Sequence, residues 1–267
     1  IDIKHADTLS LKILKWRWYS FLKMQIKVAR KLDPIIVVSE NTRKDLIKDF
    51  KIETKKTRKV LHGIDHETFH PIPTIKRKGN QIITTASADV PLKGLIYLIR
   101  AYAILLKEFP DLKLLVIGRL REGPTDQELK KEGIKEKVKF ISDLTGRQIA
   151  ELYAESTIAI SPSVYEGFGF PAGEAMSCGI PLISTNGGSL PEVVGDAGII
   201  VPHSNPKALK DAIKSLLDSP EKRIELGNKG RERVLEKFTW NRAAKELVEV
   251  YREAIDNADN RPWKNQH

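Results

Sequence analysis

The sequence predicts an α/β fold, a doubly wound parallel sheet with helices on both faces. Three observations predict it. From residue 81 onward, short apolar runs rich in β-branched residues alternate with longer segments of helical periodicity. Start signals precede those helical segments: Thr145 with Gln148 three residues on forms a capping box, and Asn205-Pro206 and Ser219-Pro220 put Pro at the first helical position. Gly-rich or polar turns separate the segments, and repeated βα units of this kind imply parallel strands joined by crossovers.

Taken in order, strands are expected at 81–87, 112–118, 138–141, 157–161, 180–184 and 198–201. Helices are expected at about 93–108, 124–133, 146–154, 171–178, 206–218, 220–237 and 240–257. Ahead of this block, Pro34-Ile-Ile-Val-Val38 reads as a buried strand, and Ser39 is placed to cap a helix over about 40–49. A short strand at 59–61 leads to a turn at Gly63. The basic, polar stretch from Pro71 to Asn80 reads as a linker. Residues 10–32, free of Gly and Pro, read as one helix with Lys12, Lys15, Lys23, Lys27 and Arg30 on one arc. Trp16 and Tyr19 project into that arc, and Leu11, Leu14, Trp18, Leu22 and Val28 are expected to face inward. Basic residues mixed with aromatics suit an anionic membrane surface, and equally a solvated helix face.

The 267 residues suffice for a sizeable core. Hydrophobic and charged contents of 41% and 30% are those of an ordinary globular protein. No run approaches the roughly 18 apolar residues of a membrane span. No signal peptide is visible, and Ile1 is not an initiator Met, which leaves the true start open. Cys178 is the only cysteine, so an intrachain disulfide is excluded and a reducing cytoplasm fits. Cys178 itself reads as a small residue near a helix end. The net charge is +10, and residues 1–60 hold 16 Lys/Arg against 7 Asp/Glu, while the rest holds 29 against 28. The excess sits at the front of the chain, where it favours an anionic partner. Nucleic acid is disfavoured because no reader motif accompanies the charge.

Chemistry concentrates in residues 166–174, Glu-Gly-Phe-Gly-Phe-Pro-Ala-Gly-Glu. Two carboxylates flank a glycine-rich turn that opens a short helix at Pro171. Glycines admit close backbone approach, and a helix start offers N–H groups to phosphate. Carboxylates accept from hydroxyls. The combination suits a sugar attached to a nucleotide. Lys93, just before Gly94, is a candidate point charge for a diphosphate, while a lone lysine reads more simply as a solvated surface residue. The six histidines show no metal-ligand or triad spacing; His62 and His66 are four apart, but on a turn. Paired carboxylates also occur in glycosidases, where the phosphate-binding surroundings would have no purpose.

These segments resemble the retaining group 1 (family-4 type) glycosyltransferases. The resemblance rests on the Glu-x7-Glu segment, on Ala175-Met-Ser-Cys-Gly-Ile-Pro-Leu-Ile183 and Gly187-Gly-Ser-Leu-Pro-Glu192, and on His62-Gly-Ile-Asp65 with Phe69 and Pro71. Lys93-Gly94, Leu114-Leu-Val-Ile-Gly118, Leu152-Tyr-Ala154 and Asp196-Ala-Gly198 follow in the family's order. It covers roughly residues 34–257. It implies the two-lobed GT-B architecture, with this chain holding the Rossmann-like C-terminal lobe and the N-terminal lobe largely missing. The implied division is residues 1–60 as a remnant of that lobe, 61–80 as interdomain segment, 81–237 as the nucleotide-sugar domain, and 238–267 as a returning helix and tail.

The resemblance implies transfer of a hexose from a UDP-, GDP- or ADP-sugar to an acceptor, lipid-linked or saccharide, with anomeric retention and no obligatory metal. Lys93 would stabilise the leaving nucleoside diphosphate and Glu166 would contact the transferred sugar, the two catalytic residues. Glu174 would hold the ribose hydroxyls, and Gly167, Phe168 and Gly169 would close on sugar and phosphate. Pro171 lacks an N–H, so Ala172 and Gly173 are left as amide donors. Ala88 stands where the family carries a second cation, and Arg119 is the candidate replacement. Two rival readings stay open: a nucleotide-sugar-binding fragment that needs a further lobe for turnover, and an anchor in residues 1–32 for a membrane on the cytoplasmic face.

Overall fold

The structure, a computed structural model, describes residues 8–86 and 90–259, without the side chains of Leu11, Lys15, Trp18, Ala258 and Asp259. The expectations for Leu11, Lys15, Trp18 and Ala88 therefore lie outside the described residues. The chain divides into two compact units, Ile1–Leu61 with Ala244–His267, and His62–Ala243.

In the first unit, helices α1 (Leu9–Tyr19) and α2 (Leu22–Ala29) replace the single helix expected over 10–32. The break has a local cause. The Ser20 hydroxyl donates to the Arg17 carbonyl at 2.6 Å, and the Ser20 N–H turns to the same oxygen at 3.1 Å. A serine that bonds the preceding turn competes with the helical ladder. The expected inward face is also corrected: of its described residues, Leu14 is 62% and Val28 48% exposed, and Leu22 is half-buried. Among the described side chains of α1, Leu9, Ile13, Leu14 and Trp16 are all exposed. Beyond it, β1 (Ile35–Val37) pairs in parallel with β2 (Thr57–Lys59), Ile35 opposite Thr57. This register places the second strand two residues earlier than expected. Ser39 caps α3 (Glu40–Asp45), its Oγ accepting from the Thr42 N–H at 3.0 Å, and the helix widens into a π turn over Leu46–Phe50. Arg58 forms an ion pair with Glu253.

The second unit is a six-stranded parallel sheet. Its strands are β3 (Gln81–Thr85), β4 (Lys113–Ile117), β5 (Val138–Ile141), β6 (Ile158–Ser161), β7 (Leu182–Thr185) and β8 (Ile199–Val201), in spatial order β5-β4-β3-β6-β7-β8. The crossovers are α4 (Leu95–Leu105), α5 (Pro124–Lys131), α6 (Gly146–Glu155), α7 (Phe170–Ser177) and α8 (Leu190–Val194); α9 (Pro206–Leu217) and α10 (Pro220–Lys237) follow the last strand, and α11 (Trp240–Asp259) begins here. Helices cover both faces, so β6 and β7 are buried at every position. The doubly wound sheet expected from the sequence is thus present strand for strand. The helix α8 was not expected, although Ser189 and Pro191 are a start signal.

Packing follows the helical period. On α4, Leu95, Leu98, Ile99, Tyr102 and Leu105 are buried against the sheet. The Tyr102 hydroxyl donates at 2.6 Å to the Leu112 carbonyl, and burial pushes its pKa up to about 12. Helix ends are closed from outside. Arg223 donates to the last carbonyls of α9, Leu216 and Leu217, and Arg233 to Glu192 and Val193 of α8. Arg231 Nη1 reaches Ser177 at the end of α7 together with the carbonyls of His66 and Phe69. At the other end of a helix, Thr145 and Gln148 form the expected capping box of α6. Thr145→Ala is expected to lower unfolding free energy by about 1 kcal/mol in urea denaturation, with the fold retained.

Candidate functional site

The strand order reverses between β3 and β6. Parallel sheets bind ligands beyond the carboxyl ends of their strands at such a reversal. Lys93 follows β3 and Glu166 follows β6, so the fold sets them side by side. The Lys93 Nζ lies 2.8 Å from Glu166 Oε1. The same oxygen accepts from the Ser163 hydroxyl at 2.8 Å. Ser163 is buried, and the carboxylate is far less exposed than the ammonium, 13% against 32% of the side chain.

Backbone contacts lock the two loops together. Lys93 ends a 3-10 turn (Pro91–Lys93) rather than lying in the expected helix, and the Leu92 carbonyl accepts from Val164 N–H at 2.8 Å. Gly94, at φ 64°, lets this turn meet the loop after β6, since a Cβ here would lie 2.1 Å from the Pro162 carbonyl oxygen. On the other side, Gly188, at φ 61°, presses on the Glu166 backbone, where a Cβ would lie 2.2 Å from the carbonyl oxygen. Ser189, buried, donates through N–H and Oγ to the Glu166 carbonyl, both at 2.9 Å, and through Oγ to Phe168 at 2.8 Å. Thr185 Oγ1 donates to the Ser163 carbonyl. Gly167, Phe168 and Gly169 are thereby held as a fixed turn between Glu166 and α7. The Gly-Gly-Ser segment of the sequence is the support of this turn.

The amide donors differ from expectation. The N–H groups of Ala172 and Gly173 both donate to the Gly169 carbonyl, at 3.1 and 3.2 Å, and both residues are buried. They close the first turn of α7 and are not free for a phosphate. Pro171 has no N–H, so among the described residues Phe170 has the one first-turn amide without an acceptor. Gly173 instead serves packing, with Ile64 against it.

Glu174 lies one helical turn further on. Burial, with the nearby Asp65 carboxylate second, pushes its pKa up to about 7. Asp65 is the ionised partner, held low by Thr68, whose N–H donates to it at 3.0 Å. Tyr153, fully buried, contacts Thr85 Oγ1 at 3.1 Å and the Pro171 carbonyl at 3.3 Å, and burial raises its pKa. Cys178 closes α7, buried, its thiol pushed up to about 12 by burial and then by Glu174. Arg119 does not join this group: it pairs with Asp143 at 2.8 Å, and both side chains are mostly exposed.

An aromatic cluster borders the turn. The His62 ring stands 5.2 Å from Phe168, 5.1 Å from Phe170 and 6.1 Å from Trp240, centroid to centroid, and burial lowers its pKa. From the sequence, His62 reads as the start of the His62-Gly-Ile-Asp65 segment and as one of two histidines four apart, with no sign of this ring cluster. Among the described residues no three His, Cys, Asp or Glu are grouped to hold a metal ion, and no helix is long and apolar enough to cross a membrane.

Residues 66–233 match the family model for glycosyl transferases group 1. The chain belongs to the group 1 glycosyltransferases. This group 1 chain is 39% identical over 251 residues to the MMP alpha-(1->4)-mannosyltransferase of Mycolicibacterium hassiacum, covering 91% of this chain and 60% of that protein. It therefore spans less than two thirds of that curated relative's length. Sucrose-phosphate synthase from Thermosynechococcus elongatus superposes with a TM-score of 0.78 at 25% identity, over 88% of this chain and 62% of the other. Anabaena Alr3699/HepE in complex with UDP and glucose superposes with 0.77 at 20% identity, over 87% and 66%, a likeness of fold. The expected GT-B resemblance and sheet are borne out.

The raised Glu174 pKa sets a pH dependence of stability. The folded state keeps a proton up to about pH 7 that the unfolded chain releases near its ordinary 4.5. Stability from this group is complete below that lower value and is lost as pH rises through the window between them. Glu174→Gln is expected to match the parent near pH 4 and to exceed it by about 1–3 kcal/mol above pH 7 in chemical denaturation.

Proposed function

We propose that this group 1 chain binds a nucleotide-diphosphate sugar where β3 and β6 end, and that its hexose is transferred to an acceptor hydroxyl with retention and without an obligatory metal. The observation that carries the reading is the Lys93–Glu166 pair, held at 2.8 Å on neighbouring strand ends at the sheet's reversal. In the free protein Glu166 is the counter-ion of Lys93. An arriving diphosphate takes that place, and the released carboxylate accepts from a hydroxyl of the sugar. As the anomeric C–O bond breaks, charge gathers on the leaving diphosphate, where the ammonium counts most. The acceptor oxygen bonds to the anomeric carbon on the same face and its proton passes to the departing phosphate oxygen. The UDP and glucose named for Alr3699/HepE support a nucleotide-sugar donor.

Glu174 accepts the ribose hydroxyls in this reading, which favours its ionised form. Donor affinity is expected to rise as pH passes from about 6 to above 7, with proton release on binding, and Glu174→Gln should flatten the profile. Calorimetry in buffers of different ionisation enthalpy measures both. With UDP-, GDP- and ADP-sugars as a panel, Lys93→Ala should weaken binding of the preferred donor about 10- to 100-fold. Unchanged affinity in that variant overturns the reading.

A second reading has its own support. The matched region covers 60% of the mannosyltransferase, and the second reading is that this region holds donor without turning it over. Binding with no release of nucleoside diphosphate, with or without an acceptor, favours this fragment reading. For the acceptor side, a membrane-bound substrate is favoured by α1, where Leu9, Ile13 and Trp16 are exposed beside Lys12 and Arg17. Pelleting with anionic liposomes, lost on deleting residues 1–32, is the expected result.

A further inference from the structure

The opposite rim of the same sheet is built differently. Thr157 and Pro181 immediately precede β6 and β7, so they lie at the strands' amino ends, away from Lys93 and Glu166. There they line a pocket of about 320 Å³ with Arg77, Arg223, Asn228 and Pro220. The strands put roughly 13 Å between the two rims, four residues at about 3.3 Å each.

Two guanidinium groups enter this pocket, each fixed along one edge. Arg77 donates through Nη1 to the Ser156 carbonyl at 2.8 Å and through Nη2 to that of Gly179 at 2.9 Å. Arg223 makes both its bonds, to Leu216 and Leu217, through Nη1. Among the described residues, Nε of Arg77 and Nε and Nη2 of Arg223 have no protein acceptor. Helix capping explains the bonded edges but not two like charges around one hollow.

No carboxylate lines the pocket. The acids around it are committed elsewhere, Glu155 to Lys78 and Glu225 to Lys229. Glu221, in the first turn of α10, is not among the lining residues. Pro220 brings the amino end of α10, an 18-residue helix, to the wall, and that end carries positive partial charge. Asn228 adds an exposed amide.

We propose that this pocket is a second binding site, for a tetrahedral phosphate group, carried by Arg77 and Arg223 with the start of α10. Planar guanidinium forks match phosphate oxygens, and one anion between them removes the repulsion of the pair. The volume admits inorganic phosphate or the phosphate end of a sugar phosphate. The site is independent of the nucleotide-sugar reading.

The test titrates the full chain with inorganic phosphate and, separately, with glucose 1-phosphate, following backbone amides by NMR with saturating nucleotide sugar present. Saturable shifts at residues 77, 157, 179 and 221–228 are expected. The Arg77→Gln/Arg223→Gln pair should weaken binding about tenfold or more. Should that pair fail to fold, Asn228→Trp, which fills the mouth from an exposed position, should block binding instead. Tighter binding of the free anion or of the ester assigns the ligand's source. Shifts that do not saturate, that gather around Lys93 and Phe170, or that survive the substitutions overturn the proposal.

Discussion

The second unit depends on one constraint: two parallel strands, β3 and β6, lie side by side although 72 residues separate their ends and beginnings. Each must hand its chain to a different face of the sheet, so the loops at their carboxyl ends diverge and leave a crevice. A cation from one loop and a carboxylate from the other meet across it. Neither would hold its position alone, because a lysine is a flexible point charge and an isolated carboxylate on a loop is free to turn. The Leu92 and Pro162 backbones, pressed together at Gly94, supply the rigidity that the side chains lack.

That rigidity is inherited from buried hydroxyls as much as from apolar packing. Ser163, Thr185 and Ser189 are all buried, and each spends its hydroxyl on a carboxylate or carbonyl within the turn. A buried hydroxyl needs such a partner, and the carbonyls of a tight turn need donors that no strand supplies. The two needs cancel. The arginines do the same at longer range. Arg223, Arg231 and Arg233 close helix carbonyls that would otherwise face the interior or the solvent unpaired.

Much of this was legible in the chain because the signals are local. Period, caps and glycine turns placed all six strands, and the order of motifs placed Lys93 and Glu166 at one edge. The rest failed where tertiary contact overrides a local rule. Residues 10–32 contain no helix breaker in the usual sense, yet one hydroxyl at Ser20 interrupts them. The amides of Ala172 and Gly173 read as free at a helix start, but the left-handed Gly169 turns its carbonyl onto both. The raised pKa of Glu174 comes from burial first and then from Asp65, more than a hundred residues away in sequence, and no spacing rule reveals either. The pocket at Arg77 was invisible because one of its walls read as a basic linker and the other as an ordinary helix start.

Cys178 carries a practical consequence. The chain's sole thiol is sealed behind α7, where no bulky electrophile reaches it and where its charged form is strongly disfavoured. A cysteine introduced on the surface would therefore take a fluorophore or spin label selectively, with the native residue left in place. Distances across the crevice can then be followed in single molecules without first rebuilding the interior.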